Sequence, residues 1–234
     1  VGGTATLSAD VDVTTLTVGN TVANVAFTGN GSSVTNAFTP ANDGTFVFGT
    51  SGGTQTYNAG LTTTSVGSTV TLNGTIATSN DAVVLGAVTL GSATTVDTNA
   101  SDTTGDITIG AVTGGSNSLT LSTGDNVANT DITASGAISG VTTLTLADVG
   151  GTATLSADVD VSTLTVGSTV ANVAFTGNGS SVTNAVSFAN DGTLTLGTSG
   201  GTQTYNGGLT TTSVGGTVTL NGEIETSNDA IVLG

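Results

Sequence analysis

Asp97, Asn99, Asp102 and Asp106 place four oxygen-bearing side chains within ten residues of one another. Hard cations take six to eight oxygens, many of them from tight loops, so this spacing marks a candidate calcium site. Asn80-Asp81 and Asn228-Asp229 repeat a turn that offers further oxygens. The spacing matches neither an EF-hand loop nor the glycine-rich nonapeptide of calcium β-rolls. The competing reading is plain Asx turns, in which the side chain bonds its own backbone.

Two carboxylate pairs, Asp10 with Asp12 and Asp158 with Asp160, stand at i and i+2. Paired acids are the machinery of glycoside cleavage. Here the chain has no Arg, His or Trp to hold a sugar, and the pair occurs twice, so solvated acids at a strand start are the better reading. Without His, Cys or Lys there is no usual general base, no activated nucleophile and no soft metal ligand. The residues therefore point away from an enzyme.

Threonines at alternate positions, as in Thr4/Thr6, Thr15/Thr17 and Thr163/Thr165, raise the chemistry of a hydroxyl array. Stacked on successive turns of one face, such pairs match an ice lattice. Their sequence intervals are irregular, which argues for ordinary strand stabilisation by β-branched residues instead.

These residues must be positioned by repeated elements. Val1 to Gly86 return as Val149 to Gly234, displaced by 148 positions and identical at 73 of 86. The differences alternate: Phe46-Val47-Phe48 becomes Leu194-Thr195-Leu196, keeping the outer two apolar while the middle one turns polar. Thr75 and Ala77 become Glu223 and Glu225 around a retained isoleucine, Ile76 and Ile224. Period-two variation of this kind is a strand with one buried face. Similar short alternations closed by Gly, Asn, Asp or Ser recur about every 8–12 residues, which predicts an all-β chain. Threonine, at 53 residues, favours strands, while helix formers such as Lys, Arg and Met are absent.

Asn30-Gly31, Asp43-Gly44 and Asn73-Gly74 are dipeptides that close hairpins in sandwiches and barrels. Against hairpins stand the gap-free repeat and inward positions filled by Val, Leu and Ile, which stack as ladders when coil sits on coil. The sequence thus predicts a parallel β-solenoid, or β-helix, with rungs of roughly 20–30 residues and about five to seven rungs per unit. Residues 1–148 form one full repeat and 149–234 a partial second one, with no separate catalytic domain. Val1 falls in mid-repeat, so the expectation is that the intact polypeptide starts elsewhere.

Gly53-Thr54-Gln55-Thr56-Tyr57-Asn58 and its copy Gly201-Thr202-Gln203-Thr204-Tyr205-Asn206, each followed by a Leu-Thr-Thr-Thr run and then Thr-Val-Thr-Leu-Asn-Gly, resemble the repeats of filamentous-haemagglutinin-like bacterial surface proteins. The resemblance implies a right-handed parallel β-helix exported from a bacterium, with no catalytic residues.

Sixteen acids and no cation give a formal charge of −16. Nucleic-acid backbones and anionic membranes are both recognised through Lys and Arg, so neither is an expected partner. Fourteen of the acids are Asp, a turn former, and the net charge keeps a long rod soluble. No run approaches a membrane-spanning length. The expected partner is the same kind of chain, met end to end or by continuation of the repeat into a filament, with glycan on the hydroxyls as a further option. The reading that results is an extracellular or cell-surface structural protein of a bacterial filament, sheath or fibre. The alternative is the shaft of a secreted adhesin whose head lies outside this segment.

Overall fold

The computed structural model describes residues 2–99, 101, 104–124 and 129–234. Among these residues there is no helix, and every strand pairing is parallel. Hairpins would have made antiparallel pairs. The chain is a β-solenoid of about 11 turns.

Each full turn lays down up to three short strands, and strands of successive turns pair to build three faces. The first face climbs through Thr4–Leu7, Asn24–Phe27 and Phe46–Phe48 and ends on Glu223–Glu225. The second begins at Asp12–Val13, Ser33–Val34 and Thr54–Tyr57. The third runs from Leu61–Thr62 through Val83–Leu85, Ile107–Ile109, Ile132–Ala134 and Thr152–Leu155 to Val218–Leu220. Long strands such as Val70–Ala77 and Ile138–Ala147 bend from the first face onto the second and join them into one 15-stranded sheet.

The Asn-Gly dipeptide at 73–74 makes that bend rather than a hairpin. Gly74 has φ +66, and a Cβ there would lie 2.3 Å from the Gly53 carbonyl oxygen of the turn below. Only glycine meets both conditions.

Inward residues form continuous ladders. On the third face Leu61, Val83, Ile107, Ile132, Ala153, Val173, Leu194 and Val218 stack in register. Ile76 is fully buried and continues into Val96, Leu121, Leu146 and Val166. Phe46 and Phe48 point inward with Val47 between them half-buried, and Leu194, Thr195 and Leu196 repeat the pattern. Burying these apolar faces, one turn against the next, is the main cohesive force.

Rungs vary from 18 residues (Val70 to Val88) to 26 (Val112 to Ile138), the slack being taken up at the corners. The repeat does not close on a whole number of them. From Thr4 the first face is revisited six times, the sixth at Ile138, and two further faces then bring the chain to Thr152, the copy of Thr4. The 148-residue unit therefore spans six and two-thirds turns. Strands that lie on the first face in copy one (Thr4–Leu7, Asn24–Phe27, Phe46–Phe48) lie on the third in copy two (Thr152–Leu155, Asn172–Phe175, Leu194–Leu196).

One polar pair is embedded in this core twice. Tyr57 donates from its hydroxyl to Gln55 Oε1 at 2.8 Å, and Gln55 Nε2 donates to the Phe27 carbonyl at 3.3 Å. Tyr205 and Gln203 repeat it at 3.0 Å, with Gln203 Nε2 donating to the Phe175 carbonyl at 2.9 Å. Burial pushes both phenols up from their ordinary range.

Candidate functional site

The acids and asparagines are held by the corners, and the neighbouring turn decides what each one faces. Asp97 ends the strand Val88–Asp97, and its Oδ1 accepts from the Asn99 backbone N–H at 2.9 Å; Asn99 sits at φ +45. Asp106 stands before Ile107–Ile109, and its Oδ1 accepts from the Asp131 N–H one turn later at 2.8 Å. Asp102 lies outside the described residues. Asp97 thus spends one oxygen on a local Asx turn, while Asp106 spends one on a backbone donor of the next turn. Among the described residues no three acids gather as a metal-holding group.

The same capping recurs through the rod. Asp131 Oδ1 accepts from Thr152 N–H at 2.7 Å, and Asn24 Oδ1 accepts from both the backbone N–H and the hydroxyl of Thr45. Asp10 Oδ1 accepts from the N–H groups of Asn30 and Gly31 at 2.7 and 2.8 Å, and Asp158 accepts from Gly179 at 2.7 Å. Asp12 and Asp160 instead stand exposed on strands, beside Ser33 and Ser181 respectively. Within each pair one carboxylate ties two turns together and the other faces water. Glycoside cleavage needs both aimed at one bond.

A further polar group binds the corner leading into the next strand. Asn42 is fully buried and donates from Nδ2 toward the carbonyls of Ala23, Gly44 and Thr45; Asn190 does the same toward Ala171, Gly192 and Thr193. Sequence reading did not single these asparagines out, although both sit in a retained Ala-Asn-Asp-Gly-Thr string.

Threonine gives the clearest departure from expectation. Thr54, Thr75, Thr95, Thr120, Thr145 and Thr165 stack as one outward column on the second face, although 21, 20, 25, 25 and 20 residues separate them. Irregular spacing in sequence becomes regular spacing in space because the corners absorb the extra residues. The surface here is a shallow ribbed wall of small side chains.

No family model matches the chain, nor does any curated protein or solved structure.

Proposed function

We propose that the chain is a structural segment of an extracellular bacterial filament, sheath or surface fibre, in which rigid length is the function. One observation carries this reading: parallel ladders of apolar residues run from turn to turn for about 11 turns. Each turn satisfies the backbone of its neighbours, so adding turns adds length without a new packing problem. At a sheet spacing of about 4.8 Å the described turns make a rod about 50 Å long.

The surface chemistry supports the same reading. A chain with no Lys or Arg gives trypsin-like proteases no site, and −16 charges keep rods apart in solution. The likeness of the Gly-Thr-Gln-Thr-Tyr-Asn stretches to filamentous-haemagglutinin-like repeats agrees with export to a bacterial surface.

Negative-stain microscopy of the purified protein tests the proposal. Uniform filaments with an axial period of one or more repeat units, each about 32 Å, support assembly. Isolated rods ending in a knob would move the role to an adhesin shaft, and compact particles would end both.

A further inference from the structure

Five Asn-Gly dipeptides occur in the chain, at 30–31, 73–74, 178–179, 206–207 and 221–222. In such a pair the glycine nitrogen, unhindered by a side chain, can attack the asparagine Cγ. The N–Cγ bond forms, the Cγ–Nδ2 bond breaks, and Nδ2 leaves as ammonia with the proton of the glycine amide. Solvent water then opens the resulting succinimide at either carbonyl, giving aspartate or isoaspartate. The reaction needs a free glycine N–H, and an N–H held by an acceptor, above all a carboxylate, keeps its proton and its place. Gly31 N–H donates to Asp10 Oδ1 at 2.8 Å, and Gly179 N–H donates to Asp158 Oδ1 at 2.7 Å. Gly74 N–H donates to Ser92 Oγ at 3.2 Å, while Asn73 Nδ2 donates to the Phe48 carbonyl at 3.1 Å. Asn206-Gly207 is different. The Gly207 N–H has no acceptor among the described residues, and the Ser227 hydroxyl donates to Asn206 Oδ1 at 2.8 Å.

We propose that Asn206-Gly207 is a site of spontaneous modification, converting through a succinimide to aspartate and isoaspartate, and that Asp10 and Asp158 shield Asn30-Gly31 and Asn178-Gly179 from the same reaction. Ser227 assists, because a donor on Oδ1 stabilises the negative charge that develops there as the nitrogen attacks. Copy one holds its asparagine in the same cradle: the Ser79 hydroxyl donates to Asn58 Oδ1 at 2.8 Å, and Asn58 Nδ2 donates to Ser33 Oγ at 3.3 Å. The Ala59 N–H likewise lacks an acceptor, with turns on both sides, so the free N–H belongs to this corner and not to its place along the rod. What separates the copies is one methyl, Ala59 against Gly207, and that methyl hinders the attacking nitrogen in copy one. Conversion adds a negative charge to the corner between Thr202–Tyr205 and Leu209–Thr210. As isoaspartate it also lengthens the backbone of a turn that Gly208 N–H closes on the Tyr205 carbonyl at 2.9 Å.

The folded chain is incubated in mildly alkaline buffer, cut with pepsin, and each asparagine followed by mass spectrometry. Asn206 should convert at least about tenfold faster than Asn30 or Asn178, the rate equivalent of one charge-assisted hydrogen bond. Asn221-Gly222 lies in the last turn, and its rate reports that edge rather than a shield. In denaturant Asn30, Asn178 and Asn206 should convert at one common rate. Asp158→Ala should raise the Asn178 rate by about tenfold and leave Asn206 unchanged. Ser227→Ala should slow Asn206 by about two- to tenfold, the range of one neutral hydrogen bond. Gly207→Ala installs the residue that copy one already accommodates and should abolish conversion at 206, which keeps the test readable if Asp158→Ala does not fold. Equal rates at Asn178 and Asn206 in the folded chain, unequal rates in denaturant, no response of Asn178 to Asp158→Ala, or persistent conversion in Gly207→Ala overturns the proposal.

Discussion

The two copies solve one packing problem with different cores. In copy one, Phe27, Phe38, Phe46, Phe48 and Tyr57 form a connected aromatic cluster, with Phe38 touching the other four and Phe46 stacked on Phe48 at 4.1 Å between ring centres. In copy two Phe38, Phe46 and Phe48 are Val186, Leu194 and Leu196, and the described ring contact that remains is Phe175 with Tyr205 at 6.5 Å. A phenylalanine is gained in exchange: Pro40 becomes Phe188, and both positions are buried. Proline has no N–H, so the ladder at Phe38 stops at an isolated bridge to Leu61. Phe188 donates to the Thr210 carbonyl at 2.9 Å, and Val186–Ser187 becomes a paired strand. The lesson is that the stacking register is kept, Phe38 over Leu61 and Val186 over Leu209, while apolar volume can be moved two residues along the rung.

The largest expected effect sharpens the contrast between a covered and an uncovered turn. Ile76→Asp puts an unpaired carboxylate into a ladder closed on both sides and should cost more than about 4 kcal/mol, whereas Ile224→Asp, half-buried at the last turn, should cost less than half of that in denaturant melts. Equal losses would mean that the two isoleucines are equally enclosed. Next, Phe38→Val should destabilise by about 2–3 kcal/mol, and adding Pro40→Phe should restore at least about half by giving copy one the arrangement of copy two. Additive damage would break the exchange argument.

A smaller effect is shared between the copies. Tyr57 and Tyr205 are held protonated by burial, while the unfolded chain releases these protons near pH 10. Above that pH the unfolded state binds fewer protons, so stability present below pH 10 should fall by about 1.4 kcal/mol per pH unit for each tyrosine. Thermal melts from pH 9 to 12 read this slope, and Tyr205→Phe should halve it. Smallest of all, Thr75→Glu gives copy one an outward side chain that copy two already carries at Glu223, and a shift within about 0.5 kcal/mol is expected.

Much of the fold was legible because a strand buries every second residue. The Phe46-Val47-Phe48 comparison and the Ile76 environment gave inward and outward sides directly, and the ladders of Val, Leu and Ile decided for stacked coils. Rung length was legible only as a range, since corners of different length separate strands that nonetheless pair in register. That same slack hid the threonine column and the fractional turn per unit. The cluster of Asp97, Asn99, Asp102 and Asp106 could be read as spacing, but the partner of Asp106 is Asp131, 25 residues away in sequence and one turn away in space. The Phe38-for-Phe188 exchange shows only in the interior that the two positions share, which sequence spacing does not display.

The two-thirds of a turn left over by each unit works like the lay of a rope. Any side-to-side imbalance within a unit, such as an aromatic-rich flank against an aliphatic one, points a third of the way round the axis at the next unit and another third at the one after. Three units, 20 turns and about 96 Å of length, bring it back to its starting side. In an array of such units, a curvature that would otherwise accumulate into an arc would be cancelled.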